Sequence, residues 1–326
     1  MEELILIDGN SLLFKAYYAT ASMGNLMVNK DGIPTNAVFG FANMLQKILE
    51  RESAYIVVAF DYGKKTFRND LLEQYKATRK ETPDELKCQF AMVREFLDAY
   101  SIPYYELEGY EGDDLIGTLS RLGEEQGLSV AIFTGDKDAF QLVSKQTTVY
   151  RTVKGVTQLD VYTPETIQEK YGLVPDQIRD FLGLMGDSAD NIPGIKGVGE
   201  KTALKLLHEY GTIENLKEHM HEIKGKMGEK IRENIDIGLQ SKKIATILRD
   251  VPMTLDLNQA RYDGYDFEKL KAFYTHYDMN SLLKKISVES RPTSKTDFQY
   301  EVVQKMPPIQ EDSSVLGAIY DQNYHK

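Results

Sequence analysis

Between residues 109 and 114 three carboxylates, Glu111, Asp113 and Asp114, fall within four positions, and Leu115, Ile116, Leu119 and Leu122 follow at helical spacing. The spacing predicts a turn that delivers acids to the start of a helix, where the helix dipole favours negative charge. An acidic first turn is ordinary by itself. Other acids give it company. Apolar runs at residues 4–7, 55–60 and 130–133 lead into Asp8, into Asp61, and into Asp136 and Asp138, and a turn at residues 186–193 carries Asp187 and Asp190. Nine acids sharing one site would account for nine of the eleven net negative charges. Two unit charges 4 Å apart repel by about 4 kcal/mol at an effective dielectric of ~20. Such a cluster must therefore hold protons or cations.

An all-oxygen donor set favours Mg²⁺ or Mn²⁺ over zinc. The five histidines, His208, His219, His221, His276 and His325, all come after the strand-forming region, which argues against an imidazole zinc site or a histidine base there. Two divalent ions about 4 Å apart suit in-line phosphoryl displacement, and a nearby Lys or Arg can neutralise charge developing on the phosphate.

The positioning elements follow from the pattern. Short buried-type runs that end in aspartate alternate with helical stretches at residues 11–21 and 35–50, and a further strand is expected over 103–107. Such alternation predicts an α/β fold with a mostly parallel central sheet flanked by helices. In these sheets ligands bind outside the carboxyl ends of the strands, where Asp8, Asp61, Asp136 and Asp138 would lie. Residues 147–162 alternate around Lys154-Gly155 and read as a hairpin, and residues 175–185 read as helical.

Residues 64–100 differ in character. From Lys64 to Lys80 there are six basic residues (Lys64, Lys65, Arg68, Lys76, Arg79 and Lys80) against Asp70 and Glu73, a local charge of +4 in an acidic chain. Phe67 and Tyr75 sit among them, so the segment can contact phosphates and stack on bases. After residue 185 the chain runs through Gly194, Lys196, Gly197, Gly199, Lys201 and Thr202 into an apolar helical stretch with Lys205 on it. Helix, glycine-rich hairpin, helix is a device for holding a nucleic-acid backbone without reading bases. A weaker echo at residues 223–230, with Lys226 and Lys230, is expected to make a subordinate phosphate contact.

The single cysteine, Cys88, excludes an intrachain disulfide and fits a reducing compartment. The acidic N-terminus lacks a signal-peptide pattern, and no apolar run nears the roughly 20 residues of a membrane span. A soluble, cytoplasmic protein is expected. The net charge of −11 would ordinarily speak against a nucleic-acid partner, unless the acids are gathered for metal.

Taken in order, Asp8-Gly9, Phe60-Asp61, Tyr75-Lys76 with Arg79, Gly109-Tyr110-Glu111 with Asp113-Asp114, Asp136-Lys137-Asp138, Gly186-Asp187-Ser188 with Asp190-Asn191, and Gly194 through Gly199 resemble the 5′-nuclease (flap endonuclease) family. The branch resembled is the N-terminal 5′–3′ exonuclease domain of bacterial DNA polymerase I, over about residues 1–288. The resemblance implies a PIN-like, resolvase-like core over residues 1–180 with a helical arch about 64–100. It also implies a helical DNA-binding subdomain with a helix–three-turn–helix (helix-hairpin-helix) element over 181–288. A linker at 289–310 and the opening strand of a truncated further domain at 311–326 would follow. The implied activity is metal-dependent removal of 5′ flaps and RNA primers in DNA replication and repair.

By the same resemblance Asp8, Asp61, Glu111 and Asp113 surround one metal and Asp136, Asp138, Asp187 and Asp190 a second. Asp113 lies near both, and Asp114 is a further ligand. Lys76, Arg79 and Tyr75 belong to the reacting centre at the base of the arch, and the hairpin holds the duplex with a K⁺. The implied partners are branched or nicked duplexes with a 5′ flap and RNA primer–DNA hybrids, bound by a monomer continuous with polymerase domains. Two alternatives are a catalytically silent DNA-junction binder and an RNA-cleaving PIN-like nuclease. A flap-cleavage assay separates the first, and a purely single-stranded RNA preference would mark the second.

Overall fold

The computed structural model describes residues 1–21, 26–154 and 158–289. Its centre is a six-stranded sheet of β1 (Glu3–Asp8), β2 (Tyr55–Ala59), β3 (Tyr104–Tyr105), β4 (Ser129–Thr134), β5 (Thr147–Lys154) and β6 (Gln158–Tyr162). The order is β3-β2-β1-β4-β5-β6, parallel except for the β5–β6 hairpin. The strand expected over 103–107 is only two residues long. The expected turn residue Gly155 lies outside the described residues.

Between and after the strands run α1 (Gly9–Ala21), α2 (Asn36–Leu49), α3 (Phe67–Leu71), α4 (Asp84–Ala99), α5 (Gly112–Glu125) and α6 (Pro164–Tyr171). Then come α7 (Ile178–Met185), α8 (Glu200–Tyr210), α9 (Ile213–His219), α10 (Gly225–Ala245), α11 (Leu257–Ala260), α12 (Phe267–His276) and α13 (Asn280–Glu289). No described helix is long and apolar enough to cross a membrane. The residues of the expected linker and of the expected opening strand lie outside the described residues.

β1, β2 and β4 are buried on both faces, which is why they read as continuous apolar runs, whereas the β5–β6 hairpin at the sheet's edge alternates. Leu4, Leu6, Val57, Val130 and Ile132 face one core with α5, α7 and α10. Ile5, Ile7, Ile56, Val58 and Phe133 face the other with α1, α2, α4 and α12. Successive side chains on a strand point to opposite faces, so each strand feeds both cores.

Chain order makes the carboxyl edge a site. From β1 the chain moves outward to β2 and β3, then returns to β4 on the other flank of β1, so a crevice opens between β1 and β4. Asp8 ends β1 in register with Ala59, Asp61 lies two residues past β2, and Asp136 two past β4. Gly9 starts α1 where a Cβ would meet the Phe60 ring at 2.3 Å, so only glycine allows this close turn out of β1.

Residues 64–100 hold two helices, α3 and α4. α3 is five residues long, turns follow, and α4 packs into the core through Leu86, Val93, Phe96 and Leu97, all 0% exposed. α4 begins after the basic run and packs its apolar face against α1, α2 and α12.

Candidate active site

Eight carboxylates gather at the sheet's carboxyl edge. Asp8, Asp61, Asp113, Asp136, Asp138 and Asp187 line one open cleft of about 670 Å³ together with Lys76 and Arg79. Glu111 and Asp190 adjoin it behind a small second cavity that Asp113 and Asp138 also line.

The acids are aimed by neighbours of complementary polarity. Ser11 N donates to Asp8 Oδ1 at 2.9 Å and Thr134 Oγ1 donates to Asp8 Oδ2 at 2.7 Å. Asn10 Nδ2 and the backbone N–H of Gly112 donate to the two oxygens of Asp61, each at 2.7 Å. The Gly112 bond ties the end of β2 to the start of α5. Asn10, Ser11 and Thr134 escaped the sequence reading, although each stands within three residues of an acid it did pick out.

Electrostatics knit the set together. Burial pushes the Asp8 carboxyl up to about 7, and Asp61 and Asp136 add to the rise against the two hydrogen bonds. Burial also holds Asp113 well above the usual carboxylate range, with Asp8, Asp136 and Asp61 contributing. Asp138 is raised in the same way, by burial and then by Asp136, Asp187 and Asp190. Asp113 thus feels acids from β1, β2 and β4 at once. Among the described residues no three carboxylates converge to coordination distance.

The cations come from the basic segment. Lys76 Nζ lies 2.8 Å from Glu111 and 4.0 Å from Asp190. Arg79 Nε donates to Asp190 Oδ1 at 2.9 Å. Burial works against the Lys76 charge, but Glu111 and Asp190 hold its ammonium above the ordinary lysine value. The segment is laid onto the 187–192 turn by backbone bonding: Lys76 N donates to Asp190 O at 2.9 Å, and Asn191 Nδ2 donates to Gln74 O at 2.7 Å. Lys76 and Asn191 both adopt positive φ, 56° and 57°, a strained conformation for lysine that the bonds to Asp190 and Gln74 maintain. The turn needs glycine at its closing end: Gly194 has φ +61°, and a Cβ there would lie 2.3 Å from Gly186 N.

Three expected site residues are placed elsewhere. Asp114 is 0% exposed and faces away from the cleft. Arg68 grips it in a two-pronged pair, NH1 to Oδ2 at 2.6 Å and NH2 to Oδ1 at 2.8 Å. Asp114 also accepts from Glu111 N at 3.1 Å and Leu248 N at 2.9 Å, so its oxygens are committed to holding the helix start. It is not placed as a metal ligand. One helical step of about 100° turns it from the face of Asp113.

Arg68, expected at DNA, is 3% exposed and also donates to the carbonyls of Ile244 and Thr246. Burial opposes its charge, and the bonds to Asp114 override that and hold the guanidinium above its ordinary value. Tyr75 is 6% exposed, so its ring cannot stack on a base. Its hydroxyl donates to Glu111 at 3.1 Å and Asp190 at 3.3 Å, which bridges two acids. Burial, Glu111 and Asp190 keep that phenol protonated far above its usual range. Phe67 packs between the Tyr110 ring and the Arg68 guanidinium.

Lys64, Lys65 and Lys80 are exposed, as are Lys196, Gly197, Gly199, Lys201 and Lys205 around the turn into α8. Gly194 is buried and its N–H is spent on Ser241 Oγ at 3.1 Å, so it is no phosphate donor. Thr202 N bonds Gly199 O within the first turn. The echo at 223–230 forms no hairpin but opens α10 at Gly225, and Lys230 reaches back to the first hairpin: a Cβ on Gly197 would be 2.6 Å from its Nζ.

The raised acids set a pH dependence in protein stripped of metal. A carboxyl whose folded pKa lies above its unfolded one binds more protons folded, so stability falls as pH rises between the two values. For Asp8 that window runs from 3.8 to about 7. Each such group contributes about 1.4 kcal/mol per pH unit inside its window. EDTA-treated protein is expected to melt at a higher temperature at pH 6 than at pH 8, with added Mg²⁺ narrowing the gap. Equal Tm values at both pH values would contradict a cluster of mutually repelling acids.

The 5′–3′ exonuclease N-terminal resolvase-like domain matches residues 3–172, and the 5′–3′ exonuclease C-terminal SAM fold matches residues 173–268. DNA polymerase I of Bacillus subtilis is 47% identical over 100% of this chain, and that of Bacillus caldotenax 45% over 99%. The chain spans 37% of the length of either relative. Among solved structures, phage T5 5′-exonuclease with bound divalent metal ions (zinc) superposes with a TM-score of 0.61 at 19% identity, covering 88% of this chain and 99% of that one. The catalytic core of Rad2 in complex with DNA substrate gives 0.59 at 18%, covering 88% and 91%. These two likenesses establish a common fold. With both family domains matched in sequence and in order, this chain belongs to the 5′–3′ exonuclease family.

Proposed function

We propose that the chain is a divalent-metal-dependent 5′–3′ exonuclease and flap endonuclease that hydrolyses phosphodiesters near the 5′ end of branched DNA or of RNA primers. In this reading it works in the cytoplasm as a monomer, continuous with polymerase domains in a longer protein. The observation that carries it is one open cleft at the switch point of a parallel sheet, lined by six of the eight carboxylates with Glu111 and Asp190 adjoining it, and with Lys76 and Arg79 paired to those two. The donor set is all oxygen, and burial, with repulsion from neighbouring acids, raises Asp8, Asp113 and Asp138. It therefore fits hard divalent cations such as Mg²⁺ or Mn²⁺. Bound there, such ions supply charge neutralisation at the phosphate and acidify the attacking water.

The chain's own residues do the rest. Asp8 and Asp61, held by Ser11, Thr134, Asn10 and Gly112, fix one wall of the donor set. Glu111 and Asp190 are pulled together by the Tyr75 hydroxyl and Lys76. Lys76 and Arg79 line the cleft and are placed to meet the negative charge that develops on a phosphate. Exposed Lys196, Lys201 and Lys205 beside the α7–α8 turn suit a duplex backbone contact with no base readout. The T5 and Rad2 nucleases, described with metal and with DNA, support the same assignment.

The test is a 5′-labelled flap duplex. With Mg²⁺ the labelled flap should be released, and EDTA should stop it. Lys76→Ala should slow single-turnover cleavage by about 10²- to 10³-fold with flap binding retained. Binding without product at any divalent metal would favour the silent junction binder.

A further inference from the structure

Two successive residues of α10 hold the two segments that meet beside the acids. Ser241, 0% exposed, accepts the Gly194 N–H at 3.1 Å and so anchors the close of the turn that carries Asp187 and Asp190. One helical step of about 100° turns Gln240 onto a different neighbour. Its Nε2 donates to the carbonyl of Leu71, the last residue of α3, at 2.7 Å. From Leu71 the chain winds through tight turns that bring Tyr75, Lys76 and Arg79 to the acids. Their bonds run from Tyr75 N to Leu72 O at 2.9 Å, from Ala77 N to Gln74 O at 3.0 Å and from Arg79 N to Lys76 O at 3.1 Å. The Lys76 N–H then meets the Asp190 carbonyl at 2.9 Å. A closed circuit results, from α10 to the end of α3, through the basic turns to the acid turn, and back to α10. The start of α3 is tied to Gly109, whose carbonyl accepts the Phe67 N–H at 3.2 Å, and its middle is tied through Arg68 to Asp114, Ile244 and Thr246. Its end, where the basic turns leave, is tied by Gln240. That side chain is exposed, so its bond fixes a position and supports no core. A small displacement at the root of such turns moves the groups that must meet a phosphate, and rate is steeply sensitive to that geometry.

We propose that Gln240 is a positioning residue for the reaction: its bond to Leu71 sets where the turns bearing Lys76 and Arg79 leave α3, and so how these two cations stand beside the acids. The proposal rests on the nuclease reading for what the cations act on. Gln240→Met keeps the length of the side chain and removes the donor. In the 326-residue protein it should slow single-turnover cleavage of a saturating 5′-flap duplex about 5- to 10-fold, the size of one neutral hydrogen bond. Flap affinity in EDTA should stay within twofold of the parent, and the melting temperature within about 2 °C, because no buried group is disturbed. Gln240→Arg, which restores a donor, should cleave within twofold of the parent. In a Lys76→Ala/Arg79→Ala background Gln240→Met should cost no further rate, since the residues it acts through are gone. Trypsin supplies a readout without catalysis. In EDTA, cleavage after Lys76 and Arg79 should quicken about fivefold in Gln240→Met as the turns loosen, while cleavage after exposed Lys226 keeps its rate. A Gln240→Met rate within twofold of the parent, or a full loss that persists in the double-alanine background, would overturn the proposal. Failure of the nuclease reading would appear instead as absence of cleavage by the unaltered protein. The trypsin comparison then decides alone, and equal nicking after Lys76 and Arg79 in parent and variant would overturn the proposal.

Discussion

Asp113→Asn is expected to lower single-turnover flap cleavage in Mg²⁺ by about 10³-fold or more, on the order of 4 kcal/mol of barrier. Flap binding should be unchanged or slightly tighter. Asp113 is buried where repulsion from Asp8, Asp136 and Asp61 meets, so it feels acids at the ends of three strands of the sheet. An amide of the same size keeps the packing and removes one buried charge from the middle of the acid cluster. Removing that charge also lessens repulsion of the DNA backbone, hence the direction of the binding change. Rate and affinity measured on the same substrate decide it. Cleavage within tenfold of the parent would remove Asp113 from the reacting centre.

Asp114→Ala should fail in the opposite way. It leaves the Arg68 guanidinium, 3% exposed, without its carboxylate, and strips an acceptor from Glu111 N and Leu248 N. Breaking a buried pair from one side costs about 3–5 kcal/mol, because the remaining charge has no water to turn to. For a chain of this size the melting temperature should drop by on the order of 10 °C. Replacing both partners, as in Arg68→Met with Asp114→Leu, should recover much of the loss, since no buried charge then remains. Thermal melts of the single and double variants measure this. A melting temperature within about 1 °C of the parent, with cleavage abolished, would return Asp114 to the ligand set.

Asp113 and Asp114 are neighbours in sequence and opposites in role, and this contrast marks how far the sequence could be read. The strand ends, their aspartates and the acidic helix start were legible because each rests on a local rule. Buried parallel strands are apolar throughout, and a turn must follow each one. The bounds of α1 and α2 and the β5–β6 hairpin lie close to the periodicity of the chain itself. The two-residue β3 was overestimated because apolar character continues beyond the backbone pairing that ends at Tyr105.

Tertiary structure alone decided what the basic segment does. Six basic residues within residues 64–80 look alike as a charge run. Folding sends Arg68 inward to Asp114 and turns Lys76 and Arg79 onto Glu111 and Asp190. Lys64, Lys65 and Lys80 are left in water. The difference lies in acidic hydrogen-bond partners 35 to 111 residues away, which no local pattern contains. Tyr75 is hidden for the same reason: its hydroxyl finds acids from α5 and from the 187–192 turn. Charge, composition and spacing determined that this chain would gather acids at the edge of a parallel sheet. Which acids face the cleft and which hold the fold was set by burial, because a buried charge is tolerated only where the folded chain supplies its partner.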